Sequence, residues 1–275
     1  MRISEIYYPA SATETVNLLR DNPDMLLLAG GSEIVGSRTS RVIDFPAQVA
    51  SISKVQELKK TFRTEQYLEI GSCTTLTGLL TLSPGTLPEP LPSVIKSIAN
   101  HAIRNFATIG GNLCSRQRFM DLWPFLSCMD AQIELRSSSG TRWASLSHLC
   151  DETGAPSFPL ATLLSRIRIP LFSYNFLFYR KLGSSAFPGP ETAYFVCMAN
   201  LGHGKIDDFR LAFAGRKAFR LKEMEMAIAG KKTVAGQREI QALIESYIDP
   251  FSLQDIFDRR IFLALLEEAF GRLFE

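Results

Sequence analysis

The sequence lacks the long apolar runs, the charge imbalance and the cysteine clusters that mark several protein classes. No stretch approaches the roughly 20 apolar residues that a membrane-spanning helix needs. The 30 basic and 28 acidic side chains leave a formal charge of +2, which argues against nucleic acid or an anionic membrane surface as a partner. Five scattered cysteines lack the close spacing of zinc or iron–sulfur ligands.

Familiar catalytic and nucleotide-binding motifs are also missing. A dinucleotide-binding fingerprint is absent, because Gly202 and Gly204 are followed by Asp207 where the third glycine would stand. A phosphate-binding loop ending at Gly230 is also absent, because its first glycine is replaced by Glu225. With three histidines in all, a zinc enzyme or a conventional hydrolase is disfavoured. The N-terminal residues carry charges and a proline where a signal peptide has its apolar core. Together with the odd number of cysteines, this predicts a reduced, cytoplasmic protein.

Apolar periodicity and turn residues predict an α+β protein. Before residue 150 the expected elements are strands at 3–8, 25–29, 67–70 and 106–109, helices at 11–20, 54–60, 75–82, 92–101 and 121–128, and a hairpin with strands 131–136 and 141–146. A polar, proline-bearing segment, 151–159, predicts a linker between domains 1–150 and 160–275. Beyond it we expect strands at 161–169, 174–181, 192–201 and 209–214, and helices at 218–229, 235–247 and 258–273.

Two similar loops are the most informative feature of the sequence. LLLAGGSEIVG (26–36) and NFATIGGNLC (105–114) each run from an apolar segment into two glycines and a small polar residue. Consecutive glycines can adopt positive φ and leave backbone N–H groups bare, which forms a concavity for an anion. Ser32 and Asn112 add side-chain hydrogen-bonding groups. One such loop is often a simple turn, but two in one domain favour a clamp on a diphosphate.

These loops resemble those of the FAD-binding subunit of the molybdenum hydroxylases, the family of xanthine dehydrogenase and of the medium subunit of carbon monoxide dehydrogenase. The family's Ala-Gly-Gly-Thr-Asp motif is similar to Ala29 to Glu33 here. Its Ile-Arg-Asn and Thr-Ile-Gly-Gly-Asn motifs match Ile103 to Asn105 and Thr108 to Asn112. Asp121, Ile70-Gly71 with Thr74 to Leu76, and Phe178 to Lys181 resemble further signatures, so the likeness spans nearly the whole chain.

The resemblance implies a two-subdomain FAD-binding domain of the vanillyl-alcohol-oxidase/PCMH type, with subdomains of roughly 1–55 and 56–150. A smaller α+β domain of the carbon monoxide dehydrogenase flavoprotein C-terminal type would follow. FAD would lie between the subdomains with its diphosphate on the glycine loops, Asp121 on the ribityl hydroxyls and Lys181 near the flavin. The implied cofactor-binding residues are Leu28, Ala29, Gly30, Gly31, Ser32, Glu33, Ile34, Thr108, Ile109, Gly110, Gly111, Asn112, Asp121 and Lys181.

Two segments depart from the family pattern. A small, proline-containing stretch usually separates Asn112 from Asp121, whereas this chain has two cations there, Arg116 and Arg118. After Lys181 the family usually has an arginine and an aspartate, but residues 183–190 read GSSAFPGP. The arginines are expected to strengthen diphosphate binding, to obstruct the site, or to be ordinary solvated residues of a loop. Asp121 is also expected to be the N-cap of the helix that follows it.

The resemblance implies an oxidoreductase subunit rather than a complete enzyme. A partner carrying the molybdenum cofactor would oxidise the substrate, and a [2Fe–2S] partner would pass electrons to FAD, which would deliver them to NAD or another acceptor. The iron–sulfur cluster is expected on another chain, since this sequence lacks the locally clustered cysteines that ligate one. The alternatives are a free-standing flavin reductase similar to the enolpyruvyl-glucosamine reductases, a flavin-poor scaffold, and a generic anion-binding protein.

Overall fold

The structure is a computed structural model that describes residues 5–36, 48–115, 120–183, 192–234, 236–248 and 256–274. The described elements form three sheets, one after another along the chain, with helices packed on them. Three hydrophobic clusters fill the core, and two of them join neighbouring sheets: Val196 and Ala212 of the third sheet pack in the cluster of the second, and Leu163 of the second packs in that of the first. The mixed α/β content agrees with the α+β class expected from the sequence.

The first sheet is small and parallel. Its elements are β1 (Glu5–Tyr7), α1 (Ala12–Asp21), β2 (Leu26–Leu28), α2 (Ser32–Gly36) and β3 (Gln48–Ser51), with strand order β1-β3-β2. The predicted capping pattern at the start of α1 is confirmed, because Ser11 Oγ accepts a hydrogen bond from the Glu14 N–H at 3.1 Å. The helix then buries Val16 and Leu19 against the strands. Strand β2 ends directly before the first glycine loop.

The second sheet is antiparallel and is interrupted by a block of short helices. Its elements are β4 (Thr61–Arg63), β5 (Tyr67–Gly71), α3 (Leu76–Leu80), α4 (Leu91–Ser97), α5 (His101–Arg104), α6 (Ile109–Leu113), α7 (Leu122–Cys128), β6 (Gln132–Ser137), β7 (Gly140–Ser145) and β8 (Leu163–Pro170), with strand order β4-β5-β8-β6-β7. The predicted hairpin is confirmed as β6 and β7, which turn at Gly140. The predicted strand at 106–109 is wrong, since these residues connect α5 to α6.

Strand β8 differs in its place from the sequence expectation. The run 161–169 was expected to open the C-terminal domain, but β8 lies in the middle of the second sheet, between β5 and β6. Its apolar residues Ile167 and Ile169 are buried in the core beneath that sheet. The segment 151–159 is long enough to bring the chain back to this sheet. The division at 151–159 therefore stays a prediction, and the pairing of β8 favours a boundary beyond residue 170.

The third sheet is antiparallel and carries the last helices. Its elements are β9 (Phe176–Leu182), β10 (Ala193–Gly202), β11 (Lys205–Ala214), β12 (Ala218–Phe219), α8 (Lys222–Ile228), α9 (Gln237–Ser246) and α10 (Ile256–Leu273), with strand order β12-β11-β10-β9. Strands followed by helices, as expected, build an aromatic core in which Phe262 of α10 packs edge-on against Phe213 and Phe219. No helix in the described part of the chain is long and apolar enough to span a bilayer.

Candidate cofactor site

The first glycine loop joins β2 to α2 and leans against the backbone of the second loop. Leu28 ends β2, Ala29 to Gly31 form the turn, and Ser32, Glu33 and Ile34 begin α2. Gly31 has φ +68°, a conformation that glycine adopts without strain. A Cβ on Gly30 would lie 1.7 Å from the Phe106 carbonyl oxygen. The two loops are therefore in direct backbone contact, as a clamp requires.

The second glycine loop is the start of helix α6 rather than the end of a strand. Thr108 is the N-cap, and its Oγ1 accepts a hydrogen bond from the Gly111 N–H at 3.1 Å. Ile109 and Gly110 donate their N–H groups to the carbonyls of Thr74 and Ser72, at 3.1 and 2.9 Å. The positive φ expected of this pair is wrong, since among the four loop glycines only Gly31 has it. Gly110 is required for another reason, because a Cβ there would lie 2.6 Å from Ser72 Cβ.

Side chains also link the loops to each other and to α7. Ser115 Oγ donates to Glu33 Oε1 at 2.6 Å, which connects the end of the second loop to the first. Asn112 Oδ1 accepts from the Leu122 N–H at 3.2 Å, so the Asn112 side chain supports the first turn of α7. Leu28, Ser32 and Ile34 are half-buried around the same turn. These bonds fix the two glycine loops in one arrangement.

A cleft that is partly open to solvent lies beside the loops. Its polar wall includes the backbone of Ala29, Gly110 and Gly111 together with Ser72. The rest of the wall is mostly apolar: Leu19, Pro23, Met25, Leu26, Leu27, Ile52, Cys73, Cys114, Phe158, Pro159, Leu160, Ala161, Thr162, Leu163 and Leu164. The cleft thus joins glycines that carry no side chain to an apolar slot, although the N–H groups of Gly110 and Gly111 already donate within the protein.

Two observations test whether a diphosphate-bearing cofactor fits this cleft. Gly111 is exposed, and a Cβ there would approach only Thr108 Oγ1, at 2.9 Å, so its outer side is open to a ligand. Ser72 Oγ is buried and makes no hydrogen bond among the described residues. An open glycine backbone accommodates phosphate oxygens, and the apolar slot accommodates an aromatic ring. The residues therefore fit FAD.

Asp121 and Lys181 form a buried ion pair. Lys181, on β9, donates from Nζ to Asp121 Oδ1 and to the Ser97 carbonyl oxygen, the latter at 3.2 Å. The Lys181 side chain is 10% exposed and the Asp121 side chain is 4% exposed. Asp121 occupies the N-cap position of α7, as expected, but its φ and ψ are helical and its side chain makes no capping bond; Asn112 accepts from the first helical N–H instead. The pair connects the third sheet to helix α7.

Arg104 has a role that sequence reasoning missed. Its Nη1 donates to the carbonyls of Lys96, Ile98 and Ala99 at 3.2, 2.8 and 2.8 Å, and Lys181 binds the carbonyl of Ser97 between them. Two cations thus satisfy four successive carbonyls at the C-terminal end of α4, where the helix dipole favours positive charge. The signal available in the sequence was a cation shortly after a helix end, within the Ile103 to Asn105 motif.

Arg104→Ala is expected to lower the free energy of unfolding by about 2 kcal/mol, the value typical of hydrogen bonds to a charged group. Urea denaturation followed by circular dichroism measures it. Arg63→Ala is the matched control, since Arg63 is exposed and donates to the single carbonyl of Gly85. A loss at position 104 no larger than at position 63 would contradict the capping role.

Several sequence expectations fall on residues that the structure does not describe. Arg116 and Arg118 lie outside the described residues, and so does most of the segment 183–190 after Lys181. Within the described ranges, no group of three or more histidine, cysteine or acidic residues is arranged to hold a metal ion. The thiols of Cys73, Cys128, Cys150 and Cys197 are free.

The chain is similar to known proteins in family, sequence and fold. Residues 2–172 match the model of the FAD binding domain in molybdopterin dehydrogenase. The chain is 26% identical over 255 residues, 91% of its length and 85% of the relative's, to a protein named xanthine dehydrogenase FAD-binding subunit from Escherichia coli O157:H7. It is 26% identical over 245 residues to a protein named glyceraldehyde dehydrogenase medium chain from Sulfolobus acidocaldarius, covering 87% of this chain and 86% of that one.

A solved structure has the same fold over nearly the whole chain. It is a carbon monoxide dehydrogenase from Hydrogenophaga pseudoflava that lacks the Mo-pyranopterin moiety of its molybdenum cofactor. The TM-score is 0.83 at 21% identity, with 98% of this chain and 96% of that chain covered. The resemblance read from the glycine motifs and the fold that it implied are thereby confirmed. The chain belongs to the family of FAD-binding domains of molybdopterin dehydrogenases, and it is a flavoprotein component of an oxidoreductase.

Proposed function

We propose that this protein is the FAD-carrying electron-transfer subunit of a multi-subunit, xanthine dehydrogenase-like molybdenum hydroxylase. Electrons would arrive one at a time from a [2Fe–2S] partner and leave to NAD or another acceptor. The observation that carries the proposal is the pair of touching glycine loops beside an open cleft, in a chain of this family. FAD supplies the chemistry, because a flavin accepts single electrons and releases two together.

The chain's own residues would bind and orient the cofactor. The backbone of Gly30, Gly31, Gly110 and Gly111 would cradle the diphosphate. The other proposed cofactor-binding residues belong to these loops or hold them in place: Leu28, Ala29, Ser32, Glu33, Ile34, Thr108, Ile109 and Asn112. Asp121 would bond the ribityl hydroxyls, and Lys181, which already contacts Asp121, would lie near the flavin.

The division of labour between chains rests on what the described residues can and cannot hold. They contain no group suited to a metal ion or a cluster, so molybdenum and iron–sulfur partners would bind their cofactors on separate chains. The E. coli relative is itself named a FAD-binding subunit, which supports a subunit role over a free-standing flavin reductase. The free thiols of Cys73, Cys128, Cys150 and Cys197 support a reducing compartment such as the cytoplasm.

The purified protein tests the proposal. It is expected to be yellow, and acid-released flavin separated by chromatography should be FAD, at close to one equivalent per chain after incubation with excess FAD. A folded but colourless protein that takes up no FAD would contradict the proposal and favour a scaffold. Alone, the chain should not hydroxylate purines with NAD as acceptor; turnover of xanthine by the isolated chain would contradict the subunit role.

A further inference from the structure

Ser72 is held rigidly beside the second glycine loop. It follows β5, and its N–H donates to the Ser165 carbonyl of β8 at 3.0 Å, while its own carbonyl accepts from the Gly110 N–H at 2.9 Å. A Cβ placed on Gly110 would lie 2.6 Å from Ser72 Cβ, so the two residues are in close contact. The Ser72 backbone is thus fixed on one side by the sheet and on the other by the loop that lines the cleft.

The Ser72 hydroxyl has no partner in this arrangement. The residue is 4% exposed, and its Oγ makes no hydrogen bond among the described residues. The adjacent Cys73 thiol donates instead to the Ile52 carbonyl, at 3.7 Å. Burial raises the pKa of that thiol to about 11, and a hydrogen bond from the Ser72 hydroxyl to the deprotonated sulfur opposes this rise. At neutral pH the thiol therefore stays protonated, and it is a weak acceptor for Ser72.

An unsatisfied buried hydroxyl destabilises a folded protein, so it is uncommon and invites an explanation. Most of the cleft wall offers no acceptor, because it consists of apolar side chains such as Leu19, Met25 and Leu163. On the polar side, however, Ser72 adjoins Gly110 and Gly111, where a ligand diphosphate would lie. A ligand oxygen is the partner that this hydroxyl lacks.

We propose that Ser72 is a cofactor-contacting residue whose hydroxyl donates a hydrogen bond to an oxygen of the ADP half of FAD, at the diphosphate or the adjoining ribose. Rotation about χ1 between staggered positions turns the hydroxyl toward the cleft when the ligand is present. The inference rests on the proposed function. Ser72 would add a side-chain donor to a diphosphate site that is otherwise formed by backbone. Its unsatisfied hydroxyl would destabilise the FAD-free protein, and ligand binding would remove this destabilisation.

The test is Ser72→Ala, measured in two ways on the full chain. Fluorescence titration should give an FAD affinity about tenfold weaker than that of the unchanged protein, a typical effect of one lost hydrogen bond to a charged group. The midpoint of thermal unfolding of the FAD-free protein should rise by about 2–4 °C, because the unsatisfied hydroxyl is gone. A ligand contact thus predicts a lower FAD affinity together with a higher unfolding midpoint. A purely structural role of Ser72 would lower both the affinity and the midpoint.

The matched control is Thr77→Val. Thr77 Oγ1 is also buried without a hydrogen bond in the described chain, but Thr77 does not line the cleft. Its removal should raise the FAD-free midpoint and leave FAD affinity within about twofold. Unchanged FAD affinity in Ser72→Ala, or a lowered midpoint, would overturn the inference while the proposed function stands. Failure of the unchanged protein to bind FAD would overturn both.

Binding of ADP alone tests whether Ser72 contacts the ADP half of FAD. The dissociation constant of ADP, titrated directly in the absence of FAD, should be about tenfold higher in Ser72→Ala, matching the loss measured with FAD itself. A loss for FAD with no loss for ADP would assign the contact to the flavin half and overturn the proposal as stated.

Discussion

Gly111→Val is expected to leave the protein folded and to weaken FAD binding by about 100-fold or more, equivalent to roughly 2.7 kcal/mol. The Cβ would meet only the end of the Thr108 side chain, at 2.9 Å, and the remaining atoms would extend into the open side of the loop. A ligand could then no longer approach the backbone. Flavin content after reconstitution and the circular dichroism spectrum measure the two expectations.

Two further glycines make this result interpretable. Gly271→Val in α10 is the matched control, since nothing lies within 4 Å of the added Cβ, and we expect normal flavin content there. Gly30→Ala should instead prevent stable folding, because its Cβ would meet the Phe106 carbonyl at 1.7 Å. A well-folded Gly111→Val protein with ordinary FAD content would remove this loop from the site.

Lys181→Met is expected to lower the free energy of unfolding by about 3–5 kcal/mol, the usual cost of breaking a buried ion pair from one side. The Asp121 carboxylate would remain buried without a countercharge, and the Ser97 carbonyl would lose its donor. Urea denaturation of the FAD-free protein measures the loss. The double substitution Asp121→Asn with Lys181→Met should recover a substantial part of it, since the uncompensated charge is then absent.

Lys222→Met is the corresponding control. Lys222 also pairs with an aspartate, Asp130, at 3.0 Å, but its side chain is 65% exposed. Exposed pairs contribute at most about 1 kcal/mol, so the change should be small. Equal losses at positions 181 and 222, or a double variant no more stable than Lys181→Met, would contradict the assignment of Asp121 and Lys181 as a buried, coupled pair.

The sequence allowed the glycine loops to be found but not the reason for each glycine. Paired glycines before a small polar residue are a local pattern, so both loops could be recognised. Their conformations depend on distant residues: Gly30 is required by the Phe106 carbonyl and Gly110 by Ser72, contacts between segments far apart in the chain. Local reasoning therefore predicted positive φ at both loops, and only Gly31 has it.

The same limit explains the errors over Asp121 and β8. An aspartate before an apolar helix is a common N-cap pattern, yet Lys181 draws the Asp121 side chain away, and this lysine belongs to another sheet. Likewise, the alternating pattern at 161–169 identified a strand correctly but contained no information about which sheet it joins. The element type of this segment was thus predictable from sequence, whereas its partners across the fold were not.

The contact between the two glycine loops has a kinetic consequence. Because Gly30 rests on the Phe106 carbonyl and Glu33 accepts from Ser115, contacts within the protein itself hold the loops together. Binding to such a preorganised cradle needs no loop closure and loses little conformational entropy. Cofactor uptake is then limited by encounter with an open cleft, and differences in affinity among loop variants should appear in the rate of cofactor release rather than in the rate of uptake.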